Sequence, residues 1–264
     1  FNGRAFDVPI IENRFILARI PPPIAGMPHL DLLHPARRLW RYRLSSCALS
    51  VLEPEALGVF REQKDVSGGL IPYLYRDYLR TGDARYMQRV LYHNTVDILS
   101  MVTLATRLCQ TFADPWAEAA DERVGQLSGA DFYGLGRWYE AEECRAEAER
   151  AYRTALRRHP EAPDVDWRLR ALRDMGYLLK RADRRGEAFA YWQQLALEAT
   201  GDVLPHIELA KYFEWHVEDL PLAARWVRVA LNQVECWPAG MHREDAAANL
   251  RHRLARLKRK MKAA

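Results

Sequence analysis

The feature that most restricts the fold of this 264-residue chain is an internal repeat in its second half. Leu135, Gly136, Tyr139, Ala148, Tyr152, Ala155 and Pro160 mark a first unit. Met175, Gly176, Leu179, Ala188 and Trp192 mark a second, and Leu209, Ala210, Phe213, Ala223, Val227 and Ala230 a third. Gly136 and Gly176 are 40 residues apart, and Gly176 and Ala210 are 34 apart. Small residues at such spacing let two helices approach closely, while the aromatics fill the gaps between successive pairs. One pair cannot bury its apolar face alone, so the units must stack. The third unit carries one extra residue between its helices. Residues 240–262 then form a capping helix.

The repeat spacing resembles that of tetratricopeptide arrays, which present concave surfaces to protein partners. It gives a division into residues 1–112, a polar junction 113–128 and an all-α superhelix 129–264. The first part mixes short β-like runs, Gly/Pro punctuation and helices. Asp7-Val-Pro9 opens a helix through about Phe15, with Asp7 as a cap. His29 to Leu33 reads as a strand. Residues 35–43 and 49–57 are short helices, Ile71 to Leu79 is another, and Ala84 to Met101 is helical with a break near Tyr92. Residues 93–112 form the clearest helix, with Ile98, Leu99, Val102, Ala105, Leu108, Cys109 and Phe112 on the core face. His93, Asp97 and Ser100 lie on a different side of it.

Hydrophobic residues make up 49% and charged residues 28% of the chain, which excludes a disordered polymer. A net charge of +4 permits a nucleic-acid partner without requiring one. The four cysteines form no CxxC pair, so they read as reduced thiols of a cytoplasmic protein and not as a zinc site. No apolar run is long enough to span a membrane. The chain opens on Phe1, not Met, and reads as part of a longer one.

Two segments carry candidate chemistry. In the first, Asn2-Gly3 makes a turn with exposed backbone donors, and Asp7 heads a helix where a carboxylate caps it or binds Mg²⁺. In the second, His93 and Asp97 are one helical turn apart, so an imidazole stands over a carboxylate. Asp97 suits a hard cation, and His93 suits orienting or deprotonating water. Arg37, Arg38, Arg41 and Arg43 surround Trp40 and Tyr42, a basic-plus-aromatic pattern that fits either a single-strand contact or an amphipathic helix with Trp40 in the core. Asp31 fits either a place at the site or a structural role. Residues 251–262 hold seven Lys or Arg and no acid, as a solvated capping helix also would.

Asn2-Gly-Arg-Ala-Phe6-Asp7-Val-Pro9 resembles the second exonuclease motif of DnaQ-like proteins. His93-Asn94-Thr-Val-Asp97-Ile-Leu-Ser100 resembles the third, with His where that motif often has Tyr. The likeness continues through His29 to Leu33, Ala36 to Trp40, Leu49 to Glu53, Leu57-Gly58, Asp65 to Gly68, Ile71-Pro72 and Tyr75. The set, in order, resembles the YprB-type ribonuclease-H-like family. That resemblance implies an α/β domain with a mixed sheet, its first strands missing, and a metal-dependent 3′–5′ exonuclease of the DEDD type. It implies two Mg²⁺ or Mn²⁺ ions, with Asp7 and Asp97 as metal ligands and His93 orienting the attacking water. Asn2, Gly3, Phe6, Asn94, Arg38 and Arg41 are assigned to the substrate, the 3′ end of a nucleic acid, with single-stranded DNA favoured. The family's first motif, Asp-x-Glu, is expected upstream of Phe1, so these 264 residues alone are expected to show little activity. The alternative is a non-catalytic scaffold, a degenerate nuclease fold carrying a peptide-binding array.

Overall fold

The computed structural model describes residues 1–24, 26–63, 66–117, 126–158 and 166–263. Asp65, Pro160 and residues 118–125 of the expected junction 113–128 lie outside these. The chain divides into two compact units, Phe1–Leu127 and Ser128–Ala264.

In the second unit the small-residue spacing becomes three helical hairpins and a terminal helix. The hairpins are α6 (Gly129–Ala141) with α7 (Arg145–Arg157), α8 (Asp166–Arg181) with α9 (Arg185–Glu198), and α10 (Leu204–Tyr212) with α11 (Leu220–Glu235). The terminal helix is α12 (Met241–Ala263). Capping chemistry marks two of the starts. Ser128 Oγ accepts from the Asp131 amide while the Asp131 carboxylate accepts from the Ser128 amide, a reciprocal box that satisfies two orphan donors. Asp219 accepts from the Leu222 amide at 2.8 Å and heads α11. Most marker positions are buried, among them Leu135, Tyr152, Met175, Leu179, Trp192, Leu209, Ala210, Ala223 and Val227, while Tyr139 and Phe213 are half-buried.

Each hairpin turn contains a non-glycine residue in the left-handed region: Glu143 at φ 60°, Asp183 at φ 60° and Glu218 at φ 62°. Recurrence at equivalent places shows that the turn geometry belongs to the repeat. The extra residue of the third unit is absorbed by a π-helical turn, Phe213–Val217, that continues α10. That turn delivers Glu214, whose side chain is fully buried, to Arg253, Arg256 and Lys260 of α12. Burial opposes ionisation of Glu214, but Lys260 and Arg256 outweigh it and hold the carboxyl below its ordinary range. Part of the basic C-terminal helix is thus spent on tying α12 down.

The first unit contains α1 (Asp7–Leu17), α2 (Leu33–Trp40), α3 (Leu49–Leu52) continued by a π-helical turn at Glu53–Leu57, α4 (Ile71–Thr81) and α5 (Met87–Ala113). Its small core gathers Leu33, Ala36, Leu39 and Trp40 of α2, Leu52, Ala56 and Leu57 beyond it, and Leu104 and Leu108 of α5.

The expected mixed sheet is not there: among the described residues this unit is helical, with no strand. The run His29 to Leu33, expected as a strand, is irregular up to α2, and Leu30 is 84% exposed. A strand needs a neighbour to take its N–H and C=O groups. Here the Asp31 side chain accepts from the Leu33 amide at 3.0 Å and turns the chain into α2 instead. The break near Tyr92 is also absent, since α5 runs unbroken. No helix of the described residues is long and apolar enough to cross a membrane.

The face of α5 that is buried differs from the apolar one expected. Ser100, Leu104, Leu108 and Thr111 are buried, whereas Ile98, Leu99 and Val102 are each at least half exposed. His93 and Asp97 continue the buried line at helical spacing, so they extend the core face and do not oppose it. α1 buries none of its residues and exposes Ile10, Ile16 and Leu17, as well as Phe6 before it.

Candidate functional site

The π-helical turn after α3 drives an acid inward. Glu53 sits between Leu52 and the buried Ala56 and Leu57, and only 2% of it is exposed. A carboxylate so buried must be paired. Arg61 meets it in bidentate fashion, Nε to Oε2 at 2.6 Å and Nη2 to Oε1 at 2.7 Å. Ser100 of α5 adds a hydroxyl donor to Oε1 at 2.7 Å.

The same guanidinium reaches α5. Its Nη2 donates to Asp97 Oδ1 at 2.6 Å, and its Nη1 lies 3.2 Å from His93 Nδ1. A guanidinium has no acceptor, so Nδ1 must accept and the ring proton is on Nε2. That nitrogen faces Asp97 Oδ2 at 3.4 Å. Glu53, Arg61, His93, Asp97 and Ser100 thus form one network, and both ring nitrogens of His93 are directed at protein groups. Arg61 is 12% exposed and Asp97 30%, so the cation is the more enclosed partner.

The first motif segment is built around Asp31. Its Oδ1 accepts from the Asn2 amide at 2.9 Å, and its Oδ2 from the Arg4 amide at 3.3 Å. Asn2 is left-handed at φ 61°, a conformation its short side chain tolerates. Burial raises the cost of ionising Asp31, yet the Leu33, Asn2 and Arg4 amides outweigh it and hold its carboxyl below 3.8. A depressed folded value stabilises above the ordinary carboxylate value, and that contribution disappears as pH falls through the folded one. The amide resonances of Asn2, Arg4 and Leu33 should therefore titrate together with a midpoint below pH 3.8. Separate midpoints, or one above 3.8, would contradict this clasp.

Asp7 stands at the first turn of α1, exposed, with Phe6 and not Asp7 at the cap position. A Cβ added at Gly3 would lie 3.6 Å from Asp7 Oδ2, so the carboxylate passes close over Gly3. Phe1, Gly3, Arg4, Asp31 and Met101 of α5 line a common small pocket, which brings the first segment beside α5. Among the described residues no hydrogen bond or ion pair joins Asp7 to Asp97. Phe6 and Asn94 are exposed. Arg41 stacks on Tyr42 at 4.6 Å and is hydrogen-bonded to its hydroxyl, and Arg38 is on the exposed side of α2. Trp40 is 1% exposed and belongs to the core, so it offers no ring to a base.

Sequence reasoning did not assign Glu53 or Arg61 to the site. An acid inside the apolar run Leu49 to Leu57 was the available signal for Glu53. Nothing local marks Arg61.

A divalent metal does not fit these residues as they stand. Among the described residues no group of three or more His, Cys, Asp or Glu side chains is gathered to hold one. Asp97 Oδ1 is already taken by Arg61.

Residues 1–109 match the RNase_H superfamily. That span contains both motif segments and the whole Glu53–Arg61–Asp97–His93 network. Over 263 residues the chain is 29% identical to the uncharacterized protein YprB of Bacillus subtilis (strain 168). The alignment covers 98% of this chain and 59% of YprB, so the chain spans about three fifths of that relative's length.

Proposed function

We propose that the protein acts on nucleic acid as a 3′–5′ exonuclease, with Asp7 and Asp97 as metal-binding carboxylates and His93 beside the reacting water. The observation that carries this reading is the superfamily match over residues 1–109, which spans both motif segments in order. For a metal to reach Asp97, Arg61 must release its Oδ1. Arg61 and the buried Glu53 hold Asp97 and His93 on α5 in one arrangement. Asp97 needs further ligands to hold a metal. The hairpins of residues 129–264 we read as a tetratricopeptide-like array, a docking surface for a protein partner beside the nuclease.

One observation favours a second reading. Arg61 already neutralises Asp97, as it would in a degenerate nuclease fold that serves as a scaffold.

One experiment separates the two. The full-length gene product is incubated with 3′-labelled and 5′-labelled single-stranded DNA and RNA, in Mn²⁺ or EDTA, beside Asp7→Ala and Asp97→Asn variants. The exonuclease reading expects loss of nucleotides from the 3′ end, stopped by EDTA and by either variant. No cleavage of any substrate leaves the scaffold reading. Cleavage that survives Asp97→Asn rejects the assigned site.

A further inference from the structure

The second unit has a pocket whose lining suits a ligand that no part of the first unit's chemistry requires. Helices α8, α9 and α10 and the π-helical turn after α10 enclose about 190 Å³. That is below the roughly 300–1,000 Å³ of sites that swallow a whole small molecule. It has room for one group of a longer ligand.

The walls are rings and cations. Trp192, Tyr212, Trp215 and His216 line it together with Lys180, Arg185 and Lys211. Trp215 is 56% exposed, an unusual position for an indole. Lys260 Nζ lies 3.7 Å from its ring centroid, so part of the ring is covered by a cation. Lys180 and Lys211 both donate to the buried Glu208. Arg253, Arg256 and Lys260 share Glu214. Among the charged side chains lining the pocket, Lys180, Arg185 and Lys211 face the single carboxylate Glu208, and with Arg185 paired to Asp183 the lining keeps an excess of one positive charge. The extra turn that projects Trp215 is a π-helical one, a local irregularity that proteins commonly keep at functional sites.

Excess positive charge asks for an anion, and exposed rings ask for a flat apolar face. A nucleotide offers both. Its base must be free of a duplex to reach the indole, so the strand must be single. A peptide of acidic residues alone would satisfy the charges but leave the rings unused. We propose that this pocket binds a nucleotide of a single-stranded nucleic acid, its base stacked on Trp215 and its phosphate held by Lys180 and Lys211. The proposal concerns binding by the second unit and stands whether or not the first unit hydrolyses anything.

The test is fluorescence anisotropy with a labelled 15-nucleotide oligothymidylate, in EDTA so that no metal-dependent cleavage can intervene. A glutamate 15-mer peptide serves as competitor. Trp215→Ala should weaken binding about tenfold, in line with one lost base stack. Trp215→Phe, which keeps a ring, should retain most of the affinity. Lys211→Gln leaves Lys180 to pair with Glu208 and should weaken binding and flatten its salt dependence. Circular dichroism confirms that each variant is folded. Absence of oligonucleotide binding, equal affinity in Trp215→Ala, or displacement by the glutamate peptide with the same Trp215 dependence would each overturn the proposal.

Discussion

Replacing Arg61 by Ala is expected to destabilise the first unit by about 3–5 kcal/mol, the cost of leaving a buried ion without its partner. The size follows from where Glu53 is. Its carboxylate is 2% exposed, and after the change its sole remaining donor of those described would be Ser100 Oγ. Water cannot compensate at that depth without opening the contact between the turn Glu53–Leu57 and α5. Asp97, 30% exposed, can be rehydrated and should add little. The contrast gives a sharper form of the prediction. Glu53→Gln in the Arg61→Ala background should recover part of the loss, because a neutral amide has less to lose by burial. In the native background the same Glu53→Gln should destabilise. Such a sign change is what a double-mutant cycle detects. The readout should be local to α5, by amide hydrogen exchange, because the two units need not unfold together. If Arg61→Ala and Glu53→Gln simply add, the network is a surface pairing and not a buried one.

The same network explains why part of this molecule was legible in its sequence and part was not. In the second unit the informative residues are apolar or small, and burial follows from their period. Gly136, Tyr152, Gly176 and Trp192 are where the spacing predicts. Even the extra residue of the third unit has a visible destination, the turn Phe213–Val217. In the first unit periodicity misleads. The apolar positions Ile98, Leu99 and Val102 are on the outside, and Asp97 and Ser100 face inward. What draws that face in is a charge pair whose members, Glu53 and Arg61, are more than 30 residues from Asp97 in sequence. No pattern within α5 carries that information. The missing sheet has a similar cause. The run His29 to Leu33 has strand-like composition, but strand formation depends on a partner, and a single Asp31 side chain suffices to redirect the run into α2. Asp7 and Asp97 stand out in the sequence as carboxylates within motif-like segments. Their company was not legible, because which cation meets a carboxylate is decided by tertiary packing.

Close approach within the hairpins sets the other large expected effect. A Cβ at Gly136 would lie 2.4 Å from Tyr152 Cδ1 and 2.5 Å from Cε1. The ring cannot simply withdraw. Tyr152 is fully buried, its hydroxyl donates to Glu140 Oε2 at 2.7 Å, and Tyr133 packs beside it with ring centroids 6.0 Å apart. Gly176 meets the Trp192 ring in the same way, at 2.7 Å, so the first two hairpins share one device. Two terms compete in Gly136→Ala. Helix propensity favours alanine by up to about 1 kcal/mol. Overpacking costs about 1–3 kcal/mol in a core that cannot relax. The second wins here because the contact is far inside van der Waals distance. Gly136→Leu adds bulk with no further gain in propensity and should cost about 3 kcal/mol or more. Denaturant unfolding of the second unit measures both. The decisive variant is Gly136→Ala combined with Tyr152→Leu. Trimming the ring opens the space that the new methyl needs, so Gly136→Ala should become neutral or stabilising in that background. If the alanine remains equally costly there, the glycine serves the backbone and not the ring, and close helix approach is not what the repeat spacing encodes.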